Sequence, residues 1–150
     1  EDGRIAESGP TAEVLSGPRS AFAARLAGLN LVAGTIESDG VLRTASGERW
    51  HGVPAEPLAV GGPAVAVFTP AAVAVYPEPP KGSPRNVVAA RIAELESHGA
   101  AIRVRSSPGA DGGPGLAADV TADAAADLWL TAGTDVWFAV KAQEVALHAR

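Results

Sequence analysis

Two short stretches of this 150-residue chain concentrate hydrogen-bond donors and positive charge. One is Ser83-Pro84-Arg85-Asn86, where an alternating strand pattern begins; the other is Lys141-Ala142, at the turn between the last two strand patterns. Lys141 and Lys81 are the only lysines. A tetrahedral dianion exchanges its water shell only for several donors converging from different directions: a hydroxyl, an amide NH2, backbone N–H groups and a compensating charge. Ser83, Asn86, the backbone at Ala142, and Arg85 with Lys141 supply that set. Hydrogen bonds to a charged partner contribute roughly 1.5–3 kcal/mol each, so a handful supports micromolar binding once association entropy is subtracted. The same residues also fit a plainer role. An Arg-Asn pair at a strand start caps a turn and leaves a solvated charge, and a lysine late in a strand serves as a surface residue that blocks edge pairing.

Other chemistries find less support. The chain has no cysteine, which removes disulfides, thiolate metal sites and a thiol nucleophile. His51, His98 and His148 are far apart with no neighbour at helical spacing, so no metal site is expected. Asp119, Asp123 and Asp127 lie at fourfold spacing, which reads as one solvated face of a helix. Trp50, Trp129, Trp137 and Phe138 would suit base stacking on a barrel, but no basic stripe accompanies them. The formal charge is −5, from 12 basic and 17 acidic residues, which opposes nucleic-acid and anionic-membrane binding. No nucleophile–base or carboxylate pair stands at informative spacing, and no Gly-x-x-x-x-Gly-Lys-Ser/Thr loop is present. The expectation is a non-enzymatic segment with no catalytic residue and no cofactor. Without a basic n-region and apolar stretch, or a run of ~20 apolar residues, a soluble cytoplasmic location is expected.

The elements that must position these residues are mostly strands. Residues 1–28 read as an arm: a short strand over Gly3–Gly9, a helical Thr11–Leu15, a break at Gly17-Pro18 and a second helix over Ser20–Ala27 ended by Gly28. From Leu29 the apolar period becomes two. Strands are predicted at Asn30–Glu37, Val41–Thr44, Glu48–Val53, Ala64–Thr69 and Ala72–Tyr76, then, after a Pro-rich extended hinge, at Asn86–Leu95, Ala101–Arg105, Leu116–Thr121, Asp135–Lys141 and Glu144–His148. Ala122–Leu128 reads as a short helix capped by Thr121, and Ser106–Gly115 as a hairpin loop. The chain divides accordingly into an arm (1–28), a first β unit (29–77), a hinge (78–84) and a second β unit (85–150).

The two β units read as copies. Asn30-Leu31-Val32-Ala33-Gly34-Thr35-Ile36 aligns with Asn86-Val87-Val88-Ala89-Ala90-Arg91-Ile92. Leu58-Ala59-Val60-Gly61 aligns with Leu130-Thr131-Ala132-Gly133, and Val73-Ala74-Val75-Tyr76 with Val145-Ala146-Leu147-His148. A duplicated short-stranded unit predicts a mainly β fold of OB-like barrels with a short strand–helix arm. In the first copy Leu29 stands where Arg85 does and Thr69 where Lys141 does, so an anion site belongs to the second copy.

At these residues the sequence resembles a known family. Ser83-Pro84-Arg85-Asn86, Ala118-Asp119-Val120-Thr121, Leu130-Thr131-Ala132-Gly133 and Val140-Lys141-Ala142 follow the pattern of the Mop (molybdate-binding, TOBE-type) domain. Residues 1–28, with Gly3-Arg4-Ile5, Glu13-Val14-Leu15 and Phe22-Ala23, are similar to the last strand and helices of an ABC ATPase. Together they look like the C-terminal part of the ATP-binding subunit of a molybdate importer, with the ATPase core preceding the segment. The resemblance implies that Ser83, Arg85, Asn86, Lys141 and the backbone of Ala142 bind molybdate or tungstate at an interface between two copies. It implies a homodimer, an ABC ATPase core and the transporter's membrane subunits as partners, a place at the inner face of the cell membrane, and feedback inhibition of transport. A ligand-free dimerisation module is the alternative. Gln143 departs from the pattern, standing where many members have Ser.

Overall fold

The computed structural model describes residues 24, 27–109 and 115–150. The expected arm lies outside the described residues except at Ala24, Ala27 and Gly28, and so does the centre of the Ser106–Gly115 loop.

The predicted period of two becomes eleven short strands among the described residues. The first copy supplies β1 (Asn30–Ser38), β2 (Val41–Arg43), β3 (Arg49–His51), β4 (Val53–Pro54), β5 (Pro63–Phe68) and β6 (Ala74–Tyr76). The second supplies β7 (Asn86–His98), β8 (Ala101–Ser106), β9 (Ala117–Thr121), the helix α1 (Ala122–Asp127), β10 (Asp135–Val140) and β11 (Ala146–Ala149). A single 3₁₀ turn precedes the last strand of each copy, at Pro70–Ala72 and at Ala142–Glu144. The expected strand at Glu48–Val53 is two strands interrupted at Gly52, and Glu144 lies in the turn rather than in β11. Thr121 caps α1 as expected, its Oγ1 accepting from the Ala124 N–H at 3.0 Å.

The duplication is visible atom by atom. β1 pairs with β5 through its first half and with β2 through its second, with an irregularity between Ile36 and Ser38. β7 divides between β10 and β8 in the same way, with the irregularity between Ile92 and Glu94. Such bulges bend a strand and let a short sheet curl into a barrel. The Leu-x-x-Gly motif serves this bend. Gly61 and Gly133 hold φ of 87° and 92°, and their N–H groups donate to the Ile36 and Ile92 carbonyls at 2.8 and 2.7 Å. A side chain at either glycine would strain the backbone that makes this bond.

Two compact units result, and they are not the two copies. One comprises residues up to Thr69 together with Gln143–Arg150; the other is Pro70–Ala142. The copies exchange their last strands. In the first unit β11 lies between β5 and β4, in the order β3-β2-β1-β5-β11-β4. In the second β6 forms one end of the order β6-β10-β7-β8-β9. The segment boundaries drawn at 77 and 85 follow the sequence copies, whereas the units follow this exchange. Each barrel has its own core. Trp50 stacks on Phe68 in the first, with centroids 5.1 Å apart. Val88, Ile92, Val104, Phe138 and Val140 are buried in the second. Trp50 and Phe138 are thus interior residues, not members of a stacking platform.

Asp119 corrects the sequence reading. It lies in β9, not on a helical face with Asp123 and Asp127, and stands directly opposite Arg103 on β8. The Arg103 Nε–H and Nη2–H donate to its two carboxylate oxygens at 2.8 and 2.9 Å, and only 10% and 16% of the two side chains is exposed. Arg103→Ala leaves a largely buried carboxylate uncompensated and is expected to lower stability by about 3 kcal/mol in urea unfolding. The Arg103 hydrogen bonds hold the Asp119 carboxyl below its ordinary 3.8, against a smaller opposing effect of burial. This contribution is complete above that ordinary value and fades as pH falls below it toward the folded-state value. Asp119→Asn is therefore expected to flatten the acid limb of the stability curve.

Candidate anion-binding site

The ladder between β7 and β10 ends next in sequence to both donor stretches. Its last registered pair sets Asn86 opposite Val140. Arg85 immediately precedes Asn86 and Lys141 immediately follows Val140 in sequence, and neither belongs to the ladder. Both are exposed, and the Ala142–Glu144 turn begins immediately beyond. Ser83 is exposed two residues before Arg85.

Burial separates Asn86 from this pair. Along β7, Asn86, Val88 and Ile92 are buried and share the inward face, while Ala89 and Arg91 are exposed on the other. Arg85 and Lys141 continue the outward face, and Asn86 enters the barrel. The first unit has the same feature: Asn30 opens β1, opposite Phe68, and is 5% exposed against 1% for Asn86. A buried asparagine at this position therefore belongs to the fold of both units. The features peculiar to the second unit are Arg85 and Lys141.

The described basic residues differ in whether a carboxylate faces them. Arg43, Arg49, Arg91, Arg103 and Arg105 each face a carboxylate within 4 Å. Among the described residues Lys81, Arg85, Lys141 and Arg150 have no such partner. The Arg85 guanidinium instead donates to backbone carbonyls, from Nε–H to Ser83 at 3.1 Å and from Nη2–H to Gly82 at 3.2 Å. Carbonyl dipoles steady the group without cancelling its charge. Neither the Arg85 nor the Lys141 charge is cancelled by a carboxylate, so each can take part in a charge-assisted hydrogen bond to an anion.

The face leading to these cations differs between the units. In the first, Leu31, Val65 and Val67 on the outward face are covered by Ala24, with Leu29 packed against them. The corresponding face of the second carries Tyr76, Trp137 and Ala89 in one registered row and Ala74, Ala139 and Val87 in the next. Tyr76, Ala74 and Ala89 are exposed and Trp137 is half-buried. An apolar stripe thus lies on this face, with Ala139, in the row nearer the end of the ladder, buried. Sequence reasoning missed this stripe, although the alignment of Leu29 with Arg85 marked where the units diverge.

Comparison with known proteins follows this geometry. The family model described as TOBE domain matches residues 82–147, from the hinge to β11. Over 148 residues the chain is 57% identical to the molybdenum import ATP-binding protein ModC of Mycobacterium tuberculosis, from strain H37Rv and from strain CDC 1551 alike. Each match covers 99% of this chain and 40% of the relative, so the chain spans about two fifths of the length of these curated relatives. Among solved structures it is similar to the cytoplasmic molybdate-binding protein ModG in a form with molybdate bound. The TM-score is 0.72 at 23% identity, with 81% of this chain and 96% of that chain covered. At that identity the likeness concerns the fold, a mainly β, OB-like architecture.

Proposed function

We propose, from the match of residues 82–147 to the TOBE domain model, that the chain is an oxyanion-sensing regulatory segment of an ABC importer's ATP-binding subunit, with molybdate or tungstate as ligand. What supports the reading is that Arg85 and Lys141 adjoin in sequence the last registered pair of the β7–β10 ladder, Asn86 opposite Val140, and that neither has a carboxylate partner among the described residues. The donors are Arg85, Lys141, the Ser83 hydroxyl and the backbone N–H of Ala142. Asn86, the fifth expected donor, opens β7 and is 1% exposed. Support for molybdate comes from the names of the relatives, an importer's ATP-binding protein and a molybdate-binding protein.

The apolar stripe beside the cations suits contact with a second copy, and the proposed site completes itself at that homodimer contact. The remaining partners are an ATPase core and, through it, the importer's membrane subunits, on the cytoplasmic side. Anion that binds only one arrangement of two such subunits, at a hundred times its dissociation constant, shifts the balance by about 2.7 kcal/mol. That suffices for feedback inhibition of transport.

Calorimetric titration with molybdate tests the reading. The wild-type chain is expected to bind, and Arg85→Ala to bind about 10-fold to 100-fold more weakly, the loss of one or more charge-assisted hydrogen bonds. Equal binding by both removes the assigned site. The second reading, a ligand-free dimerisation module, draws on the first unit, which keeps the same β architecture with Leu29 and Thr69 at the cation positions. Absence of a thermal shift with molybdate, tungstate and sulfate would favour it.

A further inference from the structure

We propose that Gly82 is a positioning residue for the oxyanion site, its carbonyl acting with that of Ser83 to hold the Arg85 guanidinium by one edge and leave the opposite edge for the ligand; this rests on the functional reading above. Arg85 is the described arginine for which carbonyl holding takes the place of a carboxylate partner. The Nε–H and one Nη2–H are engaged, at 3.1 and 3.2 Å. The remaining Nη2–H and both Nη1–H groups have no protein partner among the described residues. They form the guanidinium edge that can place two parallel N–H groups on two oxygens of a tetrahedral anion.

The backbone explains how the carbonyls come to face Arg85. Gly82 has φ of 144°, a conformation that L residues rarely adopt. A Cβ built there meets only Pro84 Cδ, at 3.9 Å, an ordinary contact. The requirement for glycine is therefore conformational and not a matter of space. Ser83 precedes Pro84, which biases it toward extended backbone and sets the direction of the second carbonyl. Pro84 thereby has a purpose in this arrangement. An exposed arginine otherwise loses rotamer freedom when it grips a ligand, and a side chain already held loses less.

Gly82→Ala tests the proposal in two measurements. In the ligand-free chain, the Arg85 Nε–H resonance, assigned by its absence in Arg85→Lys, is expected in wild type and lost to solvent exchange in Gly82→Ala. In calorimetry with molybdate, Gly82→Ala is expected to weaken binding by up to about tenfold with unchanged thermal midpoint. In an Arg85→Lys background, which lacks the fork, Gly82→Ala is expected to have no further effect. An equal loss in both backgrounds overturns the proposal, since Gly82 would then act through the fold; so does a Gly82→Ala chain with unchanged affinity. A wild-type chain that binds no molybdate while keeping the Nε–H signal instead overturns the functional reading, and the positioning role with it.

Discussion

Removal of Gln143–Arg150 is expected to unfold the barrel that those residues complete, although by sequence they belong to the second copy. β11 pairs antiparallel with β5, from Ala146 opposite Val67 to Ala149 opposite Ala64, and parallel with β4 on its other side. Val145 and Leu147 are fully buried. Deleting one large buried side chain costs about 2–5 kcal/mol, and the truncation removes two along with a central strand's hydrogen bonds. The total approaches the 5–15 kcal/mol, roughly, that separates a whole domain from its unfolded state. Hydrogen exchange reads the result directly: amides of β1 and β5 lose protection when Gln143–Arg150 is absent. Retained protection at Leu31, Val65 and Val67 would show that the exchanged strand is dispensable. Leu147→Ala is the milder form, expected to lower stability by about 2–5 kcal/mol.

Reversing both cations, with Arg85→Glu and Lys141→Glu, is expected to abolish oxyanion binding altogether. Each substitution removes donors and adds a carboxylate facing a dianion, so attraction becomes repulsion at the same place. Each residue alone, changed to alanine, is expected to cost about 10-fold to 100-fold, and because both would touch one ligand the two losses need not add. Both side chains are exposed, so the doubly reversed chain is expected to fold. Circular dichroism and calorimetry on the same sample check fold and binding together. A folded double variant that binds molybdate as wild type does would place the ligand elsewhere.

Strand positions and the repeat were legible because side chains alternate between two faces, and Thr121 was legible as a cap because capping is local. The exchange of β6 and β11 was not. Val73–Tyr76 and Val145–His148 have the same alternation whichever barrel they enter, and a hydrogen-bonded neighbour leaves no mark on local pattern. The break at Gly52 went unseen because a strand pattern runs through it. Asp119 was misplaced for a related reason. Fourfold spacing to Asp123 and Asp127 imitates a helical face, but the helix begins only at Ala122, and the partner that matters is Arg103 across a hairpin. For the candidate site, sequence supplied the residue types and the family pattern, while the register showed that one ladder ends next to both donor stretches. The carbonyl hold on Arg85 needed coordinates, since glycine and serine beside an arginine are too common to signal it.

The most direct measurement is anomalous diffraction at the tungsten edge from crystals of this chain grown with tungstate. A tetrahedral oxyanion held between the Arg85 guanidinium and the Lys141 ammonium would give a peak within hydrogen-bonding reach of both side chains, with the Ala142 N–H and the Ser83 hydroxyl around it. A peak remote from these residues, or well-diffracting crystals with no peak at saturating tungstate, would contradict it.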